Sequence, residues 1–158
     1  MAKAKAKAEQ KGPATIQNRK ASYEYEFLDT YEAGIVLVGS EVKSLFLGKA
    51  NLTDAYCQVV GGEMWVFNLD IEPYSHTVHY GQARRRERKL LLHRKEIDLI
   101  ARKSQEKGLA LIPFRVYFKG GKVKVEIALA RGKKQYDKRD SIKEKDQRRE
   151  MERSRDLF

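Results

Sequence analysis

Residues 32–45 read EAGIVLVGSEVKSL, and the fold becomes legible from that stretch outward. Ile35, Val36, Leu37 and Val38 make a short apolar run, mostly β-branched, between Gly34 and Gly39. It is too brief for a buried helix, so the pattern predicts an interior strand. Ser40 then reads as a helix N-cap and Glu41 as the acid that favours the first turn's unpaired N–H groups. Val42, Leu45 and Phe46 line one face of that helix, Gly48 ends it, and Lys43 and Lys49 stay on its outer side.

On the N-terminal side, Tyr23, Tyr25 and Phe27 alternate with Glu24 and Glu26, the period-two pattern of a strand with one buried face. On the C-terminal side, Asp54 to Val60 and Met64 to Leu69 predict two strands joined at Gly61 and Gly62, a pair suited to tight turns with positive φ. Trp65 and Phe67 share one face there and read more readily as core than as rings that stack on bases. Ile71 to Gly81 reads as a loop marked by Pro73. Arg94 to Lys107 predicts a helix with Ile97, Ile100 and Ala101 inward and Gly108 as its stop. His93 falls at its N-cap without being a favoured capping type, which leaves the imidazole for another contact.

A final hairpin alternates Ala110, Ile112, Phe114, Val116 and Phe118 along one strand, turns at Gly120 and Gly121, and returns through Val123, Val125, Ile127 and Leu129. Pro113 requires that its strand be an edge or carry a bulge. Six antiparallel strands and two or three short helices predict a mainly β chain, a small closed or partly open barrel. Residues 1–13 form a basic arm, its first eleven lacking any large apolar residue beyond the opening methionine, and this predicts disorder. The body spans residues 14–131, and residues 132–158 form a basic tail.

Thirty-three Lys and Arg against 22 Asp and Glu give the 158-residue chain a formal charge of +11, which points to a polyanionic partner. Cys57 is the only cysteine, so an internal disulfide is impossible and a reducing cytosol fits. Neither an apolar leader nor a stretch of membrane-spanning length is expected. No nucleotide-binding glycine loop, cysteine-rich metal motif or nucleophile elbow occurs, and no cofactor is called for. His76 and His79 have HxxH spacing but lack a third ligand, and nothing ties them or His93 to one phosphate as the acid and base of a ribonuclease.

What remains is dispersed cationic surface, the kind that recognises an RNA by its shape and phosphates. It comes in four places. Asn18, Arg19 and Lys20 precede the first strand; Glu32 and Lys43 flank the opening stretch; Arg84, Arg85, Arg86, Arg88 and Lys89 run into the apolar anchor Leu90, Leu91 and Leu92 before His93; Gly132, Lys133, Lys134, Asp137, Lys138 and Arg139 follow the last strand.

EAGIVLVGSEVKSL, then GKANLTDAY at 48–56, RKLLLH at 88–93 and GKKQYDKR at 132–139 resemble, in that order, the SmpB family of bacterial SsrA-binding proteins, which partner transfer-messenger RNA. The resemblance implies an oligonucleotide-binding-like barrel and a binder without enzymatic activity. Its partners would be the tRNA-like domain of that RNA and the 70S ribosome, with elongation factor Tu and alanyl-tRNA synthetase reached only through the RNA, and no membrane. It implies that Asn18, Arg19, Glu32, Lys43, Leu91 and His93 face the RNA, and that Gly132, Lys133, Lys134, Tyr136, Asp137, Lys138 and Arg139 approach the decoding centre. The tail, disordered when free, would become helical in the empty message channel. Two departures stand out: YGQARRRERKLLLH lacks the Asp-Pro common before the arginines, and Tyr136 replaces a common histidine. A ribosomal structural or assembly protein would share the small size, basic tails and barrel.

Overall fold

Two Gly-Gly turns fix the strand registers of the computed structural model, which describes residues 12–74, 83–106, 108–133 and 135–156. Gly61 and Gly62 take φ of 60° and 77°, and Gly120 and Gly121 take 59° and 76°. Paired positive φ matches the right-handed twist of flanking strands. The first turn joins β4 (Tyr56–Val60) to β5 (Glu63–Phe67), and the second joins β8 (Leu109–Lys119) to β9 (Lys122–Gly132).

The architecture is mainly antiparallel sheet with a few helices. Before the first hairpin lie β1 (Ile16–Gln17), α1 (Arg19–Glu24), β2 (Tyr25–Ile35), α2 (Gly39–Phe46) and β3 (Ala50–Asn51). Between the hairpins lie β6 (Asp70–Ile71), β7 (Arg88–Leu91) and α3 (Arg94–Lys103); α4 (Gln135–Asp156) closes the chain. Pairing runs β8–β4–β5–β7–β2–β9 and returns from β9 to β8, while β1 adds to β8. Met64, Val66, Leu90, Val125 and Ile127 point into the interior of this ring, and Leu45 of α2 and Ile100 of α3 join the same core.

Several expectations are corrected. The run Ile35 to Val38 is not an interior strand: β2 ends at Ile35, Val36 and Val38 are exposed, and Val38 rather than Ser40 occupies the N-cap of α2. Tyr23 belongs to α1, which the alternation of Tyr23, Tyr25 and Phe27 concealed. Trp65 and Phe67 alternate with the buried Met64 and Val66 and so face outward, not into the core. The RKLL segment is a strand, β7, inserted between β5 and β2. Pro113 is met by a bulge, since the β8–β9 register shifts between Pro113 and Arg115.

The tail segment expected to be disordered is helical over Gln135–Asp156. Asp146 with Arg149 and Glu150 with Arg153 set acids one turn before bases, a spacing that supports a helix locally. Little packing accompanies it. Residues 142–154 are exposed, including Ile142 and Met151, and α4 touches the body chiefly at α1. The arm at residues 1–11, and His76 and His79, lie outside the described residues.

Candidate nucleic-acid interface

An open groove of about 710 Å³ lies where β2, β7, β9 and the start of α3 meet. Glu32 and Gly34 come from β2, Leu91 from the end of β7, His93 from the N-cap of α3, and Lys124 from β9. The register makes this possible. Gly34 pairs with both Leu91 and Lys124, and Glu32 lies one β2 alternation away on the same face. A Cβ on Gly34 would stand 3.3 Å from that of Leu91, so glycine lets the exposed leucine lie against the sheet. His93 caps no backbone group with its side chain and is exposed at the rim.

Glu32 is an anion held in place. It accepts a hydrogen bond from the Tyr117 hydroxyl and an ion pair from Lys119 Nζ at 3.4 Å; its partner is not Lys43. The Tyr117 hydrogen bond, followed among favourable effects by Lys119 and Lys124, holds the Glu32 carboxyl below its ordinary value. Burial and the Glu32 carboxylate push Tyr117 up to about 12, so its hydroxyl remains a donor at neutral pH. The Arg115 guanidinium lies 4.8 Å over the Tyr117 ring and pairs with Glu126. Lys119, Lys124 and Tyr117 were missed by sequence reading. The available signal was the alternation of Lys122, Lys124 and Glu126 with Val123, Val125 and Ile127, which turns those polar groups outward.

The arginine-rich segment is divided between surface and interior. Arg88 is buried and donates four hydrogen bonds: Nε to Glu41 Oε2 at 2.7 Å, Nη1 to Leu69 O at 2.6 Å and to Arg86 O at 3.1 Å, and Nη2 to Arg84 O at 3.0 Å, with Nη2 also ion-paired to Glu41 Oε2 at 2.5 Å. It organises its own loop, so the expectation that it contacts phosphate is corrected. Arg86 also pairs with Glu41, which accepts from Val38 N–H at 3.1 Å as well. Burial alone would raise the Glu41 carboxyl; hydrogen bonds from Arg86, Val38 and Arg88 outweigh it and hold the group below its ordinary value. Arg84 pairs with Asp70 at 2.9 Å, Arg85 with Asp54 at 3.5 Å and Lys89 with Glu63 at 3.3 Å, all partly open to solvent.

Asn18 is likewise internal. Its Oδ1 caps α1 by accepting from Ala21 N–H at 3.0 Å, and its Nδ2 donates to Leu52 O at 3.0 Å, so both ends of the amide are committed. Arg19 and Lys20 are exposed on α1, Lys20 within 3.8 Å of Glu24. Lys43 is exposed with Nζ 5.3 Å above the Tyr74 ring, away from the groove. Gly132 ends β9 opposite Tyr25, and Lys133 donates to Ser22 O at 3.3 Å beside a small cleft shared with Glu144 and Arg148 of α4. Arg139 is exposed; Lys134 and the side chains of Tyr136, Asp137 and Lys138 lie outside the described residues. The structure thus gathers Glu32, Leu91 and His93 in one groove and leaves the other sites apart.

Comparison with known proteins gives a single answer. Residues 15–156 match the family model described as SmpB protein. The chain is 53% identical to an SsrA-binding protein of Streptomyces coelicolor over 148 residues, 93% of each chain. It is 52% identical to one of Syntrophobacter fumaroxidans over 155 residues, 98% of this chain and 96% of that one. A solved chain from "tmRNA-SmpB: a journey to the center of the bacterial ribosome" superimposes with a TM-score of 0.66 at 45% identity, over 77% of this chain and 85% of that one.

Proposed function

The chain belongs to the SmpB protein family, and from that premise we propose that it binds the tRNA-like domain of transfer-messenger RNA and delivers it to stalled ribosomes. The observation that carries the reading is the groove in which Glu32, Leu91, His93 and Lys124 converge. An RNA helix offers phosphates, ribose hydroxyls and a shallow minor groove. Lys124 and Lys119 suit the phosphates, the Glu32 carboxylate accepts from ribose or base donors, Leu91 offers an apolar contact, and His93 a further polar one. The protein acts by binding, not by catalysis, in the cytosol, with the ring of strands as an oligonucleotide-binding-like barrel. Residues 1–13 serve as an arm, 14–131 as the RNA-binding body and 132–158 as the ribosome-directed tail.

In this reading Gly132, Lys133, Lys134, Tyr136, Asp137, Lys138 and Arg139 meet the decoding centre, and α4 enters the message channel. Its exposed surface has little to hold it on the body, so free α4 frays, and ribosomal RNA neutralises Arg148, Arg149 and Arg153 as it orders. A message still in the channel excludes it sterically. Elongation factor Tu and alanyl-tRNA synthetase act on the RNA, not on this chain.

The test is the RNA that co-purifies with the full chain from growing cells. Enrichment of transfer-messenger RNA is expected; stoichiometric ribosomal RNA without it would establish a ribosomal structural protein instead.

A further inference from the structure

Trp65 and Phe67, which sequence patterning assigns to the core, stand half-buried on the outer face of the sheet, beside the exposed Tyr56. Residues directly opposite in an antiparallel sheet share a face. Tyr56 is opposite Phe67, and Trp65 is opposite both Gln58 and Lys89, while the intervening Cys57, Met64, Val66 and Leu90 are buried. The Tyr56 and Phe67 rings are stacked, with centroids 5.1 Å apart and planes 15° from parallel. Beside this row, Val36 N–H donates to Lys89 O, and Val36 and Leu91 are 47% and 52% exposed.

We propose that the outer face of β4 and β5 is a stacking platform for unpaired bases of the same RNA that the groove engages. The proposal rests on the transfer-messenger RNA reading above. Two observations choose RNA as the occupant. Leu91 lies on this face and also lines the groove, so the two surfaces are continuous and one ligand can span both. Cations flank the aromatics: Lys89 is opposite Trp65, and Arg85 pairs with Asp54, two residues before Tyr56. Their present partners, Glu63 and Asp54, are 47% and 59% exposed, so these pairs are weak and readily exchanged for phosphate. Flat rings between cations are what an unpaired, sequence-tolerant strand requires.

Trp65 is the only tryptophan, so its emission reports on this face alone. The full chain is titrated with transfer-messenger RNA at several salt concentrations. Trp65 emission is expected to be quenched on binding. Trp65→Leu should lose about 10-fold in affinity, Trp65→Phe much less, and the slope of log affinity against log salt should not change, because stacking releases no counterions. Tyr56→Ala, at a position 42% exposed, should lose about 5-fold. Wild-type binding with unchanged emission, and full affinity in Trp65→Leu and Tyr56→Ala, overturns the platform and leaves the RNA partnership standing. Quenching that requires added ribosomes overturns the assignment to this RNA. No binding by the wild-type chain overturns the underlying reading itself.

Discussion

The guanidinium of Arg88 is closed on the carboxylate of Glu41, 47 positions earlier in the chain, and has no exposed surface. One residue from the first turn of α2 therefore fixes the start of β7, and with it the backbone carbonyls of Arg84 and Arg86. Removing one partner of such a buried pair leaves the other charge uncompensated. Arg88→Ala is expected to lower stability by about 3–5 kcal/mol, read by denaturant unfolding. Retention of wild-type stability would show that the pair is not structural.

The same pair sets an acid limit. Glu41 has a folded-state pKa below its ordinary 4.5, so the stability it contributes is fully present above about 4.5 and lost as pH falls through the depressed value. Glu41→Gln should therefore be less stable than wild type at neutral pH, and the two should converge on acidification. Unfolding midpoints measured from pH 7 down to pH 3 check this; curves that stay parallel would place the acid sensitivity elsewhere.

Lys89 and Arg85, paired with acids 47% and 59% exposed, are the cations of this segment that remain available to phosphate. Changing both to Gln should leave the unfolding midpoint nearly intact, weaken RNA binding and reduce the log–log salt slope by roughly 0.7–0.9 for each phosphate no longer neutralised. An unchanged slope would make them merely solvated surface.

Tyr117 is expected to act on RNA only through Glu32. Tyr117→Phe removes the hydrogen bond that most lowers the Glu32 carboxyl, so that group should titrate closer to 4.5. Binding that depends on the ionised carboxylate should then fail at a higher pH than in wild type. In a Glu32→Gln background the same change should have little further effect. Additive losses in the double variant would separate the two residues.

Gly34→Ala isolates the groove from the fold. Its Cβ would press on the Leu91 Cβ, which no side-chain rotation moves, so β2 and β7 must part by a few tenths of an ångström and stability should fall by about 1 kcal/mol. RNA affinity should fall more. A loss of stability without loss of affinity would deny Leu91 a place in the interface.

Both hairpins were legible because Gly-Gly between alternating runs leaves the backbone few other options, and α3 because its core spacing and Glu96 agree, although it ends at Lys103 with Ser104 as its C-cap and not at Gly108. Glu32, Leu91 and His93 were found through the family likeness, not through any pattern that joins them; only the pairing of β2 with β7 makes them neighbours. Arg88 misled because a run of arginines looks the same whether solvated or buried, and its acceptors are backbone carbonyls and an acid distant in sequence. Asn18 is a different case. An Asn before Arg-Lys-Ala-Ser is a capping signal, and it was hidden by the aromatic alternation that begins inside the helix.

The ring of strands has a clasp. β8 and β9 share ten paired positions and β2 and β9 nine, yet β4 meets β8 only at Cys57 and Leu111. β2 meets β7 at just two positions, Gly34 with Leu91 and Ile35 with Leu90, so the hoop has two short fastenings, and neither hairpin need come apart when either opens. The groove is built from β2, β7 and β9 and straddles the second of these but not the first. Opening between β4 and β8 would leave its wall assembled, whereas opening between β2 and β7 would divide it.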